Sequence, residues 1–475
     1  MSGENEYRGS AAGTDSGLLA PVWAGTEALA ELSDEAWVAA MLEAEAALAR
    51  AQASLGVIPA RSADAVAEGV RSARIDVVDL AERSRGAANP VVVLVQELTA
   101  AVAAIDPSAA EHVHLGSTSQ DILDSAAMLL ARRTLAAVDR DLSRVAAALA
   151  ALAREHRDTP MAARTLAQHA VPTTFGLKAA GWLGSVLDAS ARVRATAAAL
   201  PAQLGGAAGT LAAYQEYARG TAAEGPGHGI ELAARFAAEL GLAEPSAPWH
   251  SLRIPLCDIG GTLSAVTGVL GKFALDVQGM SRTEVAEVAE PAAGGRGVSS
   301  AMPQKRNPVL ATLVVSAARQ LPVYSVVLAQ SMLAEDERAP GAWHAEWQPL
   351  REVLRLAAGA AHTAAELAEG LEVFPGNLRR NLALTGGSIV SERLNVALAP
   401  LLGKAEAKRL LAECARQTAA GGGSFADVLK QREDLLGKLP DGVTVDDLLA
   451  PEEYLGAAAA LVDRVLARYE AADRD

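Results

Sequence analysis

Three segments of this chain hold side chains able to do chemistry. The first is His112-Val113-His114-Leu115-Gly116-Ser117-Thr118-Ser119-Gln120-Asp121. Thr118 and Asp121 have the spacing of a capping box, so Thr118 is expected to open a helix. Free N–H groups and hydroxyls at such a helix start can hold a carboxylate. Read as local structure alone, the same residues are caps. The second segment runs Arg164-Thr165-Leu166-Ala167-Gln168-His169-Ala170-Val171-Pro172-Thr173-Thr174-Phe175-Gly176. It sets polar side chains and one imidazole between two helical stretches. His169 reads equally well as a catalytic group and as a satisfied buried histidine. The third is Gly294-Gly295-Arg296-Gly297-Val298-Ser299-Ser300-Ala301-Met302-Pro303-Gln304-Lys305-Arg306-Asn307-Pro308. Its glycines predict a mobile loop, and Asn307-Pro308 a helix cap and first turn. A loop that leads to two cations and a helix start suits closure over an anion. The plainer alternative is a surface loop with incidental serines.

Long helices must position these segments. Met128, Ala131, Leu135, Val138, Leu142, Val145, Leu149 and Leu152 step by three and four residues. Leu256, Ile259, Leu263, Val266, Leu270, Phe273, Val277 and Met280 do the same. Such stripes mark bundled helices, and no convincing alternating strand pattern accompanies them. Alanine dominates a chain that is 51% hydrophobic yet only 4% aromatic, which suits closely packed helices. The expected class is all-α. A helix is predicted near Asp34–Leu55, capped by Ser33 and Asp34 and ended by Gly56 and Pro59. Breakers divide the chain into a disordered tail (1–16), an N-terminal helical part (17–110), a central long-helix bundle (111–365) and a C-terminal helical part (366–475). One chain offers few partners for the long stripes, so a homo-oligomer is expected.

The formal net charge of −15 argues against nucleic acid and anionic membrane surfaces as partners. The two cysteines, Cys257 and Cys414, and the few histidines do not cluster as metal ligands would. The polar N-terminus lacks the pattern of a secretion signal, and no stretch reads as long and apolar enough to span a bilayer. These features predict a cytoplasmic protein with neither metal nor cofactor.

The third segment resembles the signature of the fumarase/aspartase superfamily, G-S-S-x-M-P-x-K-x-N-P. Ser299 through Pro308 match it, with Val298 where glycine is usual. The other two segments resemble the superfamily's two remaining catalytic regions, in the expected order. Within it, the chain is similar to the 3-carboxy-cis,cis-muconate cycloisomerase branch. The residues that carry this are Gly17-Leu18-Leu19-Ala20-Pro21, Asn89-Pro90-Val91, Thr118 through Asp121, Gln168-His169-Ala170, Pro172 through Gly176, and Trp343-His344-Ala345-Glu346-Trp347. That branch is also similar to nitrosuccinate lyase. Adenylosuccinate lyase is a more distant resemblance, since its usual Thr-His is Thr165-Leu166 here and its usual His after Met-Pro is Gln304.

The resemblance implies a three-domain fold whose long helices are shared in a homotetramer, with active sites shared between chains. It implies a β-elimination on a small dicarboxylate or tricarboxylate, begun by removing a proton beside a carboxylate. Ser299 as an alkoxide would be the general base, activated by Lys305 and helix dipoles. Lys305 and Asn307 match the binders of the substrate carboxylate, and Thr118, Ser119 and Thr165 match further hydroxyl contacts. Gln168 falls in the matched substrate-binding string. His169 is expected as general acid or substrate contact, and His114 as a binding or orienting group. Arg338 and His344 are secondary candidates, from a partner chain. Two substrates fit: nitrosuccinate, giving fumarate and nitrite, and a carboxymuconate, closing to a lactone. A noncatalytic structural relative is the third possibility, and intact Ser299, Lys305 and Asn307 argue against it.

Overall fold

The computed structural model describes residues 15–292, 296–298, 301–302, 304–440 and 442–472. Most of the expected disordered tail lies outside these, as do Ser299, Ser300 and Pro303. The architecture is helical, as expected. The elements that bear on the site are helices α1 (Asp34–Ser54), α2 (Ser119–Glu155), α3 (Phe175–Ala199), α4 (Ile254–Met280), α5 (Val309–Gln330) and α6 (Ala342–Glu369). Two short antiparallel pairs accompany them: β1 (Pro160–Thr165) with β2 (Gln168–Thr174), and β3 (Val288–Ala289) with β4 (Glu372–Val373).

The chain forms two compact units. One holds the residues up to Asp141, Ala189–Gly271 and Leu313–Thr363; the other holds Leu142–Asp188, Lys272–Thr312 and Ala364 onward. Helices α2 to α6 each contribute residues to both. In the first unit α1 begins where predicted: the Ser33 hydroxyl accepts from the Ala36 N–H at 3.2 Å. It packs on the helices Ala60–Ser72 and His228–Leu240. The second unit carries a separate core around Leu394, Leu410, Cys414 and Phe425.

Both predicted stripes are inside. Met128 through Leu149 in α2 are buried at every stripe position, with Leu152 half-buried, and all eight positions of the α4 stripe are buried. These stripes are therefore satisfied within one chain, which removes the reason they gave for self-association. Other apolar positions remain outside: Leu275 on α4, and Val323 and Val326 on α5, are 47%, 66% and 54% exposed. Helices α4 and α5 are also long and apolar enough to cross a membrane by length and composition, contrary to the sequence reading. The buried face of α4 is the stripe itself, the pattern of a bundle core.

The second segment, read from the sequence as a polar stretch between helices without a strand pattern, is the main local exception to the helical class. It is a hairpin, with Arg164 opposite His169 and Thr165 opposite Gln168. Leu166 and Ala167 make its two-residue turn, with φ of 49° and 65°. Such left-handed turns fit the twist of paired strands but usually call for Asn or Gly. Leu-Ala gives no such signal in the sequence.

Candidate active site

The first unit builds a polar corner where α2 begins. Thr118 stands just before the helix, and its N–H donates to Asp121 Oδ2 at 3.2 Å, one half of the expected capping box. Asp121 does far more than cap. Its buried carboxylate also accepts from the N–H groups of Gly205 (2.8 Å) and Gly206 (3.0 Å), the Tyr214 hydroxyl (3.1 Å) and His250 Nε2 (2.8 Å). It therefore ties the turn before α2 to the loop around Gly205. Burial, with the Asp121 carboxylate alongside, pushes the Tyr214 phenol well up, so it remains a donor.

The turn before Thr118 is set by backbone shape. His114 is left-handed (φ 58°), and Ser117 N–H closes on His114 O at 3.1 Å. Gly116 has φ 78°, and a Cβ there would stand 2.8 Å from the Tyr214 ring, so only glycine fits. Helix α1 grips this turn twice. Glu45 Oε1 lies 2.6 Å from His114 Nδ1, and Gln52 Nε2 donates to Leu115 O at 2.8 Å. Seven residues apart, Glu45 and Gln52 share one face of α1. Burial opposes protonation of His114, but the Glu45 carboxylate and its hydrogen bond, helped by Asp121, outweigh this and raise the pKa.

Arg338 approaches the same corner. Its Nε donates to Gln120 Oε1 at 3.2 Å, and its Nη2 to Ala207 O at 3.3 Å. Among the described residues it has no carboxylate partner, so its charge is not neutralised by the protein. Likewise, among the described residues no protein partner takes the side-chain hydroxyls of Thr118 or Ser119, both half-buried. A cation, an imidazole and free hydroxyls at a helix start make a receptor for an anion. Below them lies a buried ionic cluster. Arg253 Nη1 donates to Asp124 Oδ2 at 2.7 Å and pairs with Glu346, while Trp343 Nε1 donates to Asp124 Oδ1 at 3.0 Å. His344 belongs to this region through ring contacts with Trp343 and Trp347.

The second unit holds the other candidates. Thr165 and Gln168 lie at the exposed end of the hairpin beside Leu166, which is 99% exposed. His169 is half-buried, and burial, then the positive charge of Arg164, lowers its pKa, partly offset by Glu287. Arg164 is held by buried Glu287 through two hydrogen bonds, 2.6 and 2.9 Å long. His169 is thus prepared as a neutral imidazole at neutral pH, able to accept a proton but a poor acid.

Of the signature loop, the flanks are described. Val298 pairs with Arg306, and Gly297 O accepts from both the backbone N–H (2.9 Å) and Nδ2 (3.2 Å) of Asn307. A Cβ on Gly297 would meet Asn307 O at 2.5 Å, so the clasp requires glycine there. Lys305 is exposed and, among the described residues, has no carboxylate partner. Asn307 was expected to cap α5, but its side chain holds Gly297 instead. The cap is Glu290, which accepts from the N–H groups of Leu310 (2.9 Å) and Ala311 (2.7 Å). A carboxylate carries full charge to the helix dipole, which an amide cannot match. The proposed base, Ser299, lies outside the described residues.

Sequence reasoning missed Glu45, Gln52, Glu290, Tyr214 and His250. For the first two a signal existed. Val38, Met41, Glu45, Leu48 and Gln52 step by three and four, so two polar residues interrupt a buried face. No cluster of histidine, cysteine and carboxylates suited to a metal exists among the described residues.

Comparison with known proteins identifies the family. The model of a family described as Lyase matches residues 26–322, and that of the adenylosuccinate lyase C-terminus matches 387–465. Nitrosuccinate lyase of Streptomyces davaonensis is 57% identical, over 96% of this chain and 95% of that one. The 3-carboxy-cis,cis-muconate cycloisomerase of Pseudomonas aeruginosa is 43% identical, over 93% and 94%. The crystal structure of 3-carboxy-cis,cis-muconate lactonizing enzyme from Pseudomonas putida superposes with a TM-score of 0.87 at 35% identity, covering 96% of this chain and 99% of that one. A family model that matches more than half of the chain, relatives 57% and 43% identical, and a fold matched over nearly its whole length place this chain in the lyase family of the fumarase/aspartase superfamily.

Proposed function

We propose that this enzyme eliminates nitrite from nitrosuccinate to give fumarate. The observation that carries this reading is the 57% identity to a nitrosuccinate lyase, over 96% of this chain. Nitrite, the anion of a fairly strong acid, leaves without being protonated, whereas an amine leaving group needs a proton. Partial burial of His169 beside Arg164 disfavours its charged form, which fits a leaving group that needs no acid.

In this reading Ser299, as an alkoxide, removes the proton from the carbon next to one substrate carboxylate. That electron pair becomes the new double bond as the neighbouring carbon–nitrogen bond breaks and nitrite departs. The aci-carboxylate formed on the way carries a second negative charge. Lys305 and Asn307, with Thr165 and Gln168, are assigned to that carboxylate; Thr118, Ser119, His114 and Arg338 are assigned to the rest of the dianion. No metal or cofactor enters these steps. The candidates fall in two units of one chain, and the hairpin tip and the outer faces of α4 and α5 are apolar and exposed. Both features support a homotetramer whose sites are completed between chains, and the cytoplasm is proposed as its compartment.

The test is direct. Purified enzyme is given nitrosuccinate, with fumarate followed by ultraviolet absorbance and nitrite by a colour assay. Equal formation of both is expected. Loss of carboxymuconate absorbance with no nitrite release would replace this reading with the cycloisomerase one. Sedimentation as a monomer at micromolar concentration would overturn the shared-site part.

A further inference from the structure

The Glu45–His114 pair is not explained by helix packing. A carboxylate on a core face is tolerated where a cation is bonded to it. Glu45 is 2% exposed, and its Oε2 has no partner, so all of its bonding is spent through Oε1 on His114 Nδ1 at 2.6 Å. Charge-assisted bonds are shorter than neutral ones, and this one is short. His114 is forced into the left-handed region to reach it, an arrangement that costs a non-glycine residue energy unless the surroundings hold it. Gln52 supplies that hold one residue on, at Leu115 O. Among the described residues no partner takes the other ring nitrogen, Nε2.

We propose that Glu45 is a positioning residue that keeps His114 as an imidazolium, presenting Nε2–H as a charged donor to a carboxylate of the substrate. This rests on the reading that the turn before α2 lines the site. A substrate with two carboxylates needs a cation set at each end. His114 and Arg338, both in the first unit, supply one of them, and Glu45 fixes the charge of the histidine without touching the substrate. The charged groups that act on His114 are Glu45 from α1 and Asp121 from α2; Tyr214, from the helix Ala212–Tyr217, and His250 are bonded to Asp121. Tyr214 remains neutral and His250 is bonded to Asp121, so Glu45 is the anion that changes the protonation of His114 most directly.

The experiment has two parts. In ligand-free protein carrying isotope-labelled histidine, the His114 resonance is assigned by its loss in His114→Asn and titrated by NMR. Its pKa is expected above the ordinary imidazole value, and to fall by about one unit or more in Glu45→Gln. With substrate, Glu45→Gln is expected to raise KM about tenfold with kcat within about threefold, and to move the alkaline limb of kcat/KM to lower pH. Glu45→Asp should restore part of both. A merely structural role would lower activity without moving that limb. An unchanged His114 titration in folded Glu45→Gln overturns the proposal. Should that variant not fold, a wild-type His114 pKa below the ordinary value overturns it instead. The titration needs no substrate, so wild-type enzyme inert toward nitrosuccinate would sink the substrate reading and leave this measurement standing.

Discussion

Glu290 closes the start of α5: its carboxylate lies 2.7 Å from the backbone N–H of Ala311 and also accepts from Leu310. The helix that follows the signature loop is thus already furnished with an anion. Replacing Glu290 by alanine is expected to cost about 1 kcal/mol of local stability, the usual worth of a lost cap. Amide hydrogen exchange at Leu310 and Ala311 should speed up accordingly. Unaltered protection there would show that the carboxylate does no capping.

Glu346 gives a pH dependence with a definite sign. Burial pushes its carboxyl up from 4.5 to about 7, Asp124 pushes the same way, and Arg253 pulls against both. A group whose folded pKa is raised favours folding when protonated. Its contribution is complete below about pH 4.5 and is lost as pH rises through about 7. Glu346→Gln should flatten that loss when chemical denaturation is followed across this range. A stability that instead climbs with pH in wild type and not in the variant would contradict it.

His169 and Ser299 should respond very differently to replacement. His169→Gln is expected to lower kcat by less than about tenfold, because nitrite needs no acid; Ser299→Ala should lower it by about 10³ or more. Comparable collapse of both on nitrosuccinate would show that the histidine carries the reaction's proton.

Lys305 and Arg338 are candidate-site cations without a carboxylate partner among the described residues. Lys305→Met should reduce kcat/KM by about 10²–10³, chiefly through kcat, since its charge meets the developing dianion. Arg338→Met should act mainly on KM. Steady-state kinetics at saturating and limiting substrate separate the two; identical KM-only effects would remove Lys305 from the reacting carboxylate.

The helical class was readable because Met128 through Leu149 and Leu256 through Met280 repeat with a helix's period, and every one of those positions is buried. The three candidate segments stood out because their polar residue types stand together in the chain. What stayed hidden depends on contacts distant in sequence. Asp121 has a cap's spacing, yet Gly205, Tyr214 and His250 give it most of its bonds. The hairpin of Pro160–Thr174 follows backbone pairing around Leu166-Ala167, where side-chain pattern gives no strand signal. Asn307 lost the cap to Glu290 because a charge seventeen residues upstream outcompetes a neighbouring amide.

Helix α1 contributes no atom to bond making, yet Glu45 and Gln52 on its inner face fix the shape of the turn it touches. A redesign that filled both positions with leucine would leave His114 Nδ1 and the Leu115 carbonyl without partners, so apolar packing gained there would be offset by the bonds lost. Screens that select for thermal robustness alone should therefore retain these two polar residues although they sit on a core face.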